Sequence, residues 1–255
     1  MSCSSPAQAS PSSNPYPRSH FLPPGSNLQA LIDAQPTFPN NATIVLVLSN
    51  RKAAFGLQRA ASASPPIPTS YLALQPYLKS NPEKTRADYD AEIARRVLEA
   101  RPDLVVLAGW MHVFGDEFLD LLNGVVDRGI PADQRLVRPV PVINLHPALP
   151  GEYDGAHALD RAWDDYQAAK IVRTGVMVHR VVKQVDAGQP ILTREIPFRE
   201  GESKEEFETR LHSIEWEVIV QATKEVLEQR LEQRLEQRLQ QLRGSNIGKL
   251  DSQND

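Results

Sequence analysis

The chain has 255 residues, 41% of them hydrophobic, one cysteine and a formal net charge of −4. That length can bury one sizeable α/β core, and the near-neutral charge gives no general attraction to nucleic acid or anionic membrane. A lone Cys3 excludes an intramolecular disulfide framework and fits a reducing compartment such as the cytoplasm. No run reaches the roughly 18 apolar residues of a membrane span, and no apolar core of a secretory signal stands at the N-terminus.

Residues 1–24 are rich in Ser, Pro, Ala and Asn and are expected to be disordered, because they hold too little apolar surface to offset ordering entropy. Gly25-Ser26-Asn27 then leads into a helix with Leu28, Leu31 and Ile32 at helical spacing. A capped helix start also exposes free N–H groups that suit an anion, although any capped helix shares that property. Residues 43–48, Thr-Ile-Val-Leu-Val-Leu, read as a strand of a parallel sheet covered on both faces. A helix over about 52–61 follows, then a Ser/Pro turn and a short strand near 71–74.

Thr85-Arg86-Ala87-Asp88 predicts a capping box with Asp in place of Glu, opening a helix that carries Tyr89, Ile93 and Val97 on one face. Residues 104–110 form a second apolar strand, and a short helix is expected over about 116–122. Residues 124–141 lack a clear period and read as a surface insertion. A strand ends at Val142-Ile143-Asn144-Leu145-His146-Pro147. Asn144 and His146 stand two residues apart, so in an extended chain their side chains point the same way, and Pro147 stops the ladder. An amide donor and an imidazole at the carboxyl edge of a strand suit an oxygen that becomes negative during acyl transfer. Taken alone, the pair suits a turn whose side chains bond nearby backbone better than it suits a site.

A helix over 156–169, strands over 175–182 and 190–197, and a long helix over about 205–242 complete the predicted elements. Leu-Glu-Gln-Arg recurs from Leu227, Leu231 and Leu235, and Leu239 closes the run. Glu and Arg recur every four residues, so like charges stack at i+4, and the repeat reads as a solvated terminal helix rather than a partner seam.

Five stretches occur in order: Gly25 to Ala30, Leu46 to Asn50, Leu107 to Met111, Ile143 to Pro147, and Gly175 to His179 with Val185 to Gly188. Together they resemble the phosphoribosylglycinamide formyltransferase family in its single-function fungal form, over about residues 25–225. The resemblance implies an α/β fold with a doubly wound, mostly parallel, Rossmann-like sheet. It also implies three regions: the N-terminal segment 1–24, a formyltransferase domain 25–225, and a repetitive helical tail 226–255 with a disordered end. The implied reaction moves a formyl group from 10-formyltetrahydrofolate to the amine of glycinamide ribonucleotide, with both small molecules as partners and with no metal, nucleic acid or membrane.

By the same resemblance, Asn144 and His146 would hold the developing oxyanion and Asp186 would pair with His146. Gly25, Ser26 and Asn27, with His212 and Glu215, would bind the nucleotide. Arg86, Met111, His112, Val113 and Phe114, with Asn144 and with Val182, Lys183, Gln184, Val185 and Asp186, would face the folate. His20, His157 and His179 receive no role. The sequence departs from the family at one place: Pro17 to Pro24 stands where the family has a central apolar strand, so that first strand is expected to be missing. Other folate formyl enzymes, such as methionyl-tRNA formyltransferase or formyltetrahydrofolate hydrolase, and an inactive folate-binding relative stay open as alternatives.

Overall fold

The computed structural model describes residues 26–126 and 139–251, with side chains to residue 240. The expected disordered segment, Gly25, most of the expected insertion and the last four residues of the tail lie outside the described residues.

Helix α1 (Ser26–Ala34) leads through two 3-10 turns to β1 (Val47–Ser49), and α2 (Phe55–Ser62) returns the chain to β2 (Thr69–Tyr71). Helices α3 (Leu74–Ser80) and α4 (Arg86–Glu99) precede β3 (Val105–Leu107), α5 (Asp116–Leu122) and β4 (Val142–His146). After α6 (Ala158–Gln167) come β5 (Arg173–Arg180), β6 (Pro190–Pro197) and α7 (Lys204–Asp251). Helix α3 is not foreseen from the sequence. Its Pro76 stands in the first turn, where a missing N–H removes no helical bond. The capping box is present: Thr85 N–H donates to the Asp88 carboxylate, and Asp88 N–H donates to the Thr85 hydroxyl.

The strands form two sheets. β1 pairs with β2 in parallel; β3 pairs with β4 in parallel, and β5 and β6 extend that sheet antiparallel. Alternation along the strands sends neighbours to opposite faces. Ile143 joins the core under α1 and α7, with Phe207, Leu211 and Ile219, while Val142 joins the core under α4 and α5, with Tyr89, Ile93 and Phe118. Helices thus cover both faces, as expected of an α/β fold. By the same alternation, Asn144 and His146 lie on the α4/α5 face.

The strand expected over 43–48 is shorter in the structure, because among the described residues it has a partner on one edge alone. Val47 N–H donates to Pro68 O and Ser49 O accepts from Leu72 N–H, so Leu46 and Leu48 turn their backbone groups away from β2. Val105 N–H donates to Pro141 O on the β4 side, so Leu104 and Val106 face away from β4. Both outward edges border one apolar cavity of about 800 Å³, lined by residues 43–49 and 104–108 among others. Among the described residues no strand fills it. Among the described residues the strands therefore stand in two separate sheets, with this cavity between their facing edges. Replacing residues 17–24 by a short apolar strand and turn should raise the melting temperature by roughly 10 °C, since a few apolar side chains at about 1.5–3 kcal/mol each would become buried. Thermal unfolding of the two chains side by side checks this, and equal melting temperatures would count against it.

Candidate active site

β4 and β5 set the centre of the site. Their antiparallel register places His179 directly opposite Asn144, while the parallel register on the other side places Leu107 beside Asn144. Cross-strand partners are close enough for side-chain contact, and Asn144 Nδ2 lies 3.4 Å from His179 Nε2. His179 Nδ1 lies 3.0 Å from the Arg180 carbonyl oxygen, which accepts a hydrogen bond from the Nδ1–H.

Asp186 comes in from the loop between β5 and β6. Its Oδ1 lies 3.3 Å from His179 Nε2, and its Oδ2 lies 3.5 Å from His146 Nδ1. Oδ2 also accepts the Gly155 N–H at 2.8 Å. The carboxylate therefore bonds a distant loop rather than its own turn. Asp186 has φ 53, a left-handed conformation that Asp tolerates better than most residues. Gly188 makes the approach possible: a Cβ there would sit 1.6 Å from the Arg180 carbonyl oxygen. Gly188→Ala should push the loop off β5 and cost activity and stability together, the latter by about 1–3 kcal/mol or more in urea unfolding, the scale that overpacking causes.

The hydrogen bond from His179 does most to hold the Asp186 carboxyl down to about 2, helped by the Gly155 N–H and the charges of His146 and His179, with burial opposing. Asp186 is thus ionised throughout the physiological range. His146 is 4% exposed, and its Nε2 is buried without a hydrogen-bond partner among the described residues.

The two segments expected to face the folate flank this cluster. The chain leaves β3 beside Asn144 and runs through Met111 to Phe114 into α5. His112 turns inward, with Nε2 at 2.6 Å from Asp90 Oδ1, and Arg86 Nη2 donates to the Val113 carbonyl at 2.6 Å. Phe114 stacks on Trp110 and Phe118. Met111 and Val113 are 69% and 53% exposed, and Val182 and Val185 are 45% and 41% exposed. Lys183, between the latter two, pairs with Asp116 and Asp120 of α5 at 3.0 and 3.2 Å, which ties the two segments together. Gln184 O lies 3.5 Å from Ala187 N–H, within the same turn. Apolar side chains left in water on both segments make a rim suited to a flat aromatic ligand.

Of the residues expected to bind the nucleotide, Ser26 and Asn27 open α1, and Asn27 Oδ1 is buried without a partner among the described residues. α1 packs against α7, which carries His212 and the buried Glu215. His212 Nδ1 lies 2.7 Å from Glu215 Oε2. Burial works to lower the His212 pKa, but the hydrogen bond and charge of Glu215, with Glu208 behind it, raise it overall.

The structure brings Asn144, His146 and Asp186 together, as expected, and adds His179. That histidine closes one of the five motif stretches but receives no role there, because its partnership depends on strand register. The one available signal is a lone His inside the apolar run Gly175-Val-Met-Val-His179.

A sequence profile of the formyl transferase family matches residues 20–126 and 130–242. The chain belongs to the formyl transferase family. It is 44% identical over 206 residues to a phosphoribosylglycinamide formyltransferase of Schizosaccharomyces pombe, covering 80% of this chain and 92% of that protein. It is 43% identical over 202 residues to the protein of that name in Dictyostelium discoideum, covering 78% of this chain and 92% of that protein. The crystal structure of phosphoribosylglycinamide formyltransferase from Streptococcus pneumoniae TIGR4 aligns with a TM-score of 0.62 at 27% identity, covering 80% of this chain and 95% of that chain.

Because Asp186 has a folded pKa near 2 against an ordinary 3.8, its stabilisation is complete above about pH 4 and is lost as pH falls toward 2. The stability gap between the protein and Asp186→Asn, measured by urea unfolding, should therefore shrink by about 2 kcal/mol between pH 7 and pH 2.5. A gap that stays constant over that range would show that the carboxylate gains nothing from its partners.

Proposed function

We propose that this chain transfers a formyl group from 10-formyltetrahydrofolate to the amine of glycinamide ribonucleotide. The observation that carries the proposal is the buried Nε2 of His146, without a hydrogen-bond partner among the described residues, at the end of the strand that aims Asn144 at the same face. A buried polar atom without a partner costs about 1–3 kcal/mol, and a substrate oxygen that accepts its proton removes that cost. Nε2 is shielded from solvent, so substrate binding has to open a path to it.

In this reading, the substrate amine attacks the formyl carbon, and the carbonyl electron pair moves onto oxygen. Asn144 Nδ2 and a protonated His146 Nε2 donate to that oxygen. Asp186, ionised and 3.5 Å from His146 Nδ1, orients the ring and balances its charge. His179 holds the other carboxylate oxygen and so fixes where Asp186 can stand. Collapse restores the carbonyl, breaks the bond to the folate nitrogen and leaves the formyl group on the amine; the amine loses one proton and the folate nitrogen gains one, with His146 placed to deliver it. The apolar rim of Met111, Val113, Val182 and Val185 takes the folate ring system. Ser26, Asn27, His212 and Glu215 take the nucleotide.

A spectrophotometric formyl-transfer assay tests the reading. His146→Ala should lower turnover by roughly 10²-fold or more, the scale of a positioned acid or oxyanion donor. Turnover within a few-fold of the parent would remove the assignment. Hydrogen bonds supply the activation, so the reading assigns no metal, and prolonged dialysis against a chelator should leave the rate unchanged. A rate lost on dialysis and regained with a divalent cation would contradict that part.

A further inference from the structure

Helix α4 carries a second buried carboxylate that formyl transfer does not use. Asp90 is 1% exposed. Its Oδ1 lies 2.6 Å from His112 Nε2, and its Oδ2 accepts the Gly115 N–H at 2.8 Å. Both partners belong to the single loop between β3 and α5. A carboxylate out of water is unfavourable unless paired and hydrogen-bonded. The burial of Asp90 is therefore offset only while that loop is docked.

The docked loop has one orientation. The His112 ring meets Tyr89 and Phe114 edge-on, with centroids at 5.4 and 5.3 Å, so it is boxed on both sides. His112 turned inward leaves its neighbours Met111 and Val113 facing solvent, and they are the exposed apolar side chains of the rim. Arg86 holds the Val113 carbonyl from the start of the same helix. α5, which begins directly after Gly115, supplies Asp116 and Asp120 to Lys183 on the opposite rim segment. One buried carboxylate on α4 thus sets the height and facing of the loop beside Asn144.

We propose that Asp90 is a positioning residue for the formyl-donor side of the site: through His112 and Gly115 it holds Met111 and Val113 where the planar ring system of the folate donor rests. This rests on the formyl-transfer reading above. Asp90 itself touches no substrate, so its removal should loosen the donor site and leave the nucleotide site alone.

The test is steady-state kinetics with each substrate varied in turn, on the full chain and on Asp90→Ala, Asp90→Asn and His112→Leu, together with calorimetric titration of tetrahydrofolate. The expected result for Asp90→Ala is a roughly tenfold rise in KM for 10-formyltetrahydrofolate and a matching loss of tetrahydrofolate affinity, with KM for glycinamide ribonucleotide within twofold of the parent. Asp90→Asn keeps one acceptor and should fall between the two. If Asp90→Ala does not fold, His112→Leu, which leaves the carboxylate its Gly115 bond, decides by the same ratio of the two KM values. Equal changes in both KM values, or a change confined to kcat, would overturn the inference while leaving the formyl-transfer reading in place. A parent chain inactive in formyl transfer would instead remove that reading, and tetrahydrofolate affinity alone would then decide the role of Asp90: a tenfold loss supports it, and unchanged affinity overturns it.

Discussion

Asp186 is the point on which the candidate site depends. A side chain 8% exposed and carrying a full charge needs partners, and it takes them from three places: the Gly155 backbone, His179 on β5 and His146 on β4. Each partner comes from a different stretch of chain, so a single carboxylate fixes the mutual position of a loop, a strand and the end of the central strand. The geometry works in both directions. The histidines make it favourable to keep the carboxylate ionised, and the carboxylate keeps the imidazole of His146 from turning away. Gly188 is the steric condition for the arrangement, since only a residue without a Cβ lets the loop pass so close to Arg180.

Asp90 repeats the same physical device one layer away. There a carboxylate buried on α4 is satisfied by a histidine and a backbone N–H of the loop between β3 and α5. In both places an acidic group that folding would otherwise reject is made into a fastening. The two fastenings meet through Lys183, whose ion pairs with Asp116 and Asp120 cross from one loop to the other. Lys183 is exposed, so that bridge contributes little energy by itself and serves mainly to keep the rims in register.

Much of this was legible in the sequence, and the reasons differ by residue. Asn144 and His146 stand out because the two-residue period of a strand and the following proline place them without knowledge of the fold. The capping box at Thr85 and Asp88 is a purely local pattern and is found as expected. Asp186 could be assigned only through family resemblance, because nothing local announces that a loop carboxylate reaches two strands. His179 was missed for a related reason: its partnership with Asn144 arises from antiparallel register, which short-range pattern cannot supply. His112 was expected to face the folate, but its ring is spent on Asp90, a long-range pairing that no spacing rule predicts. The strand at 43–48 shows the opposite effect. Its apolar run is clear in sequence, yet among the described residues only Val47–Ser49 enters a ladder, because a strand needs a neighbour as well as a composition.

Helix α7 has a consequence for how the molecule moves through solution. Its 48 residues run as one helix, which at about 1.5 Å per residue is some 70 Å long. The first half is pinned by Phe207, Leu211, Ile219 and Val226 in the core, and Arg234 still reaches Asp103. Beyond that point Leu235 and Leu239 are both about half exposed, and the helix backbone runs on to Asp251. A sphere with a rod attached has more friction than a sphere of the same mass. The 28.4 kDa chain should therefore elute from a sizing column ahead of globular standards and tumble anisotropically, even as a monomer. An apparent mass read from such a column would overstate the number of subunits unless the shape is taken into account.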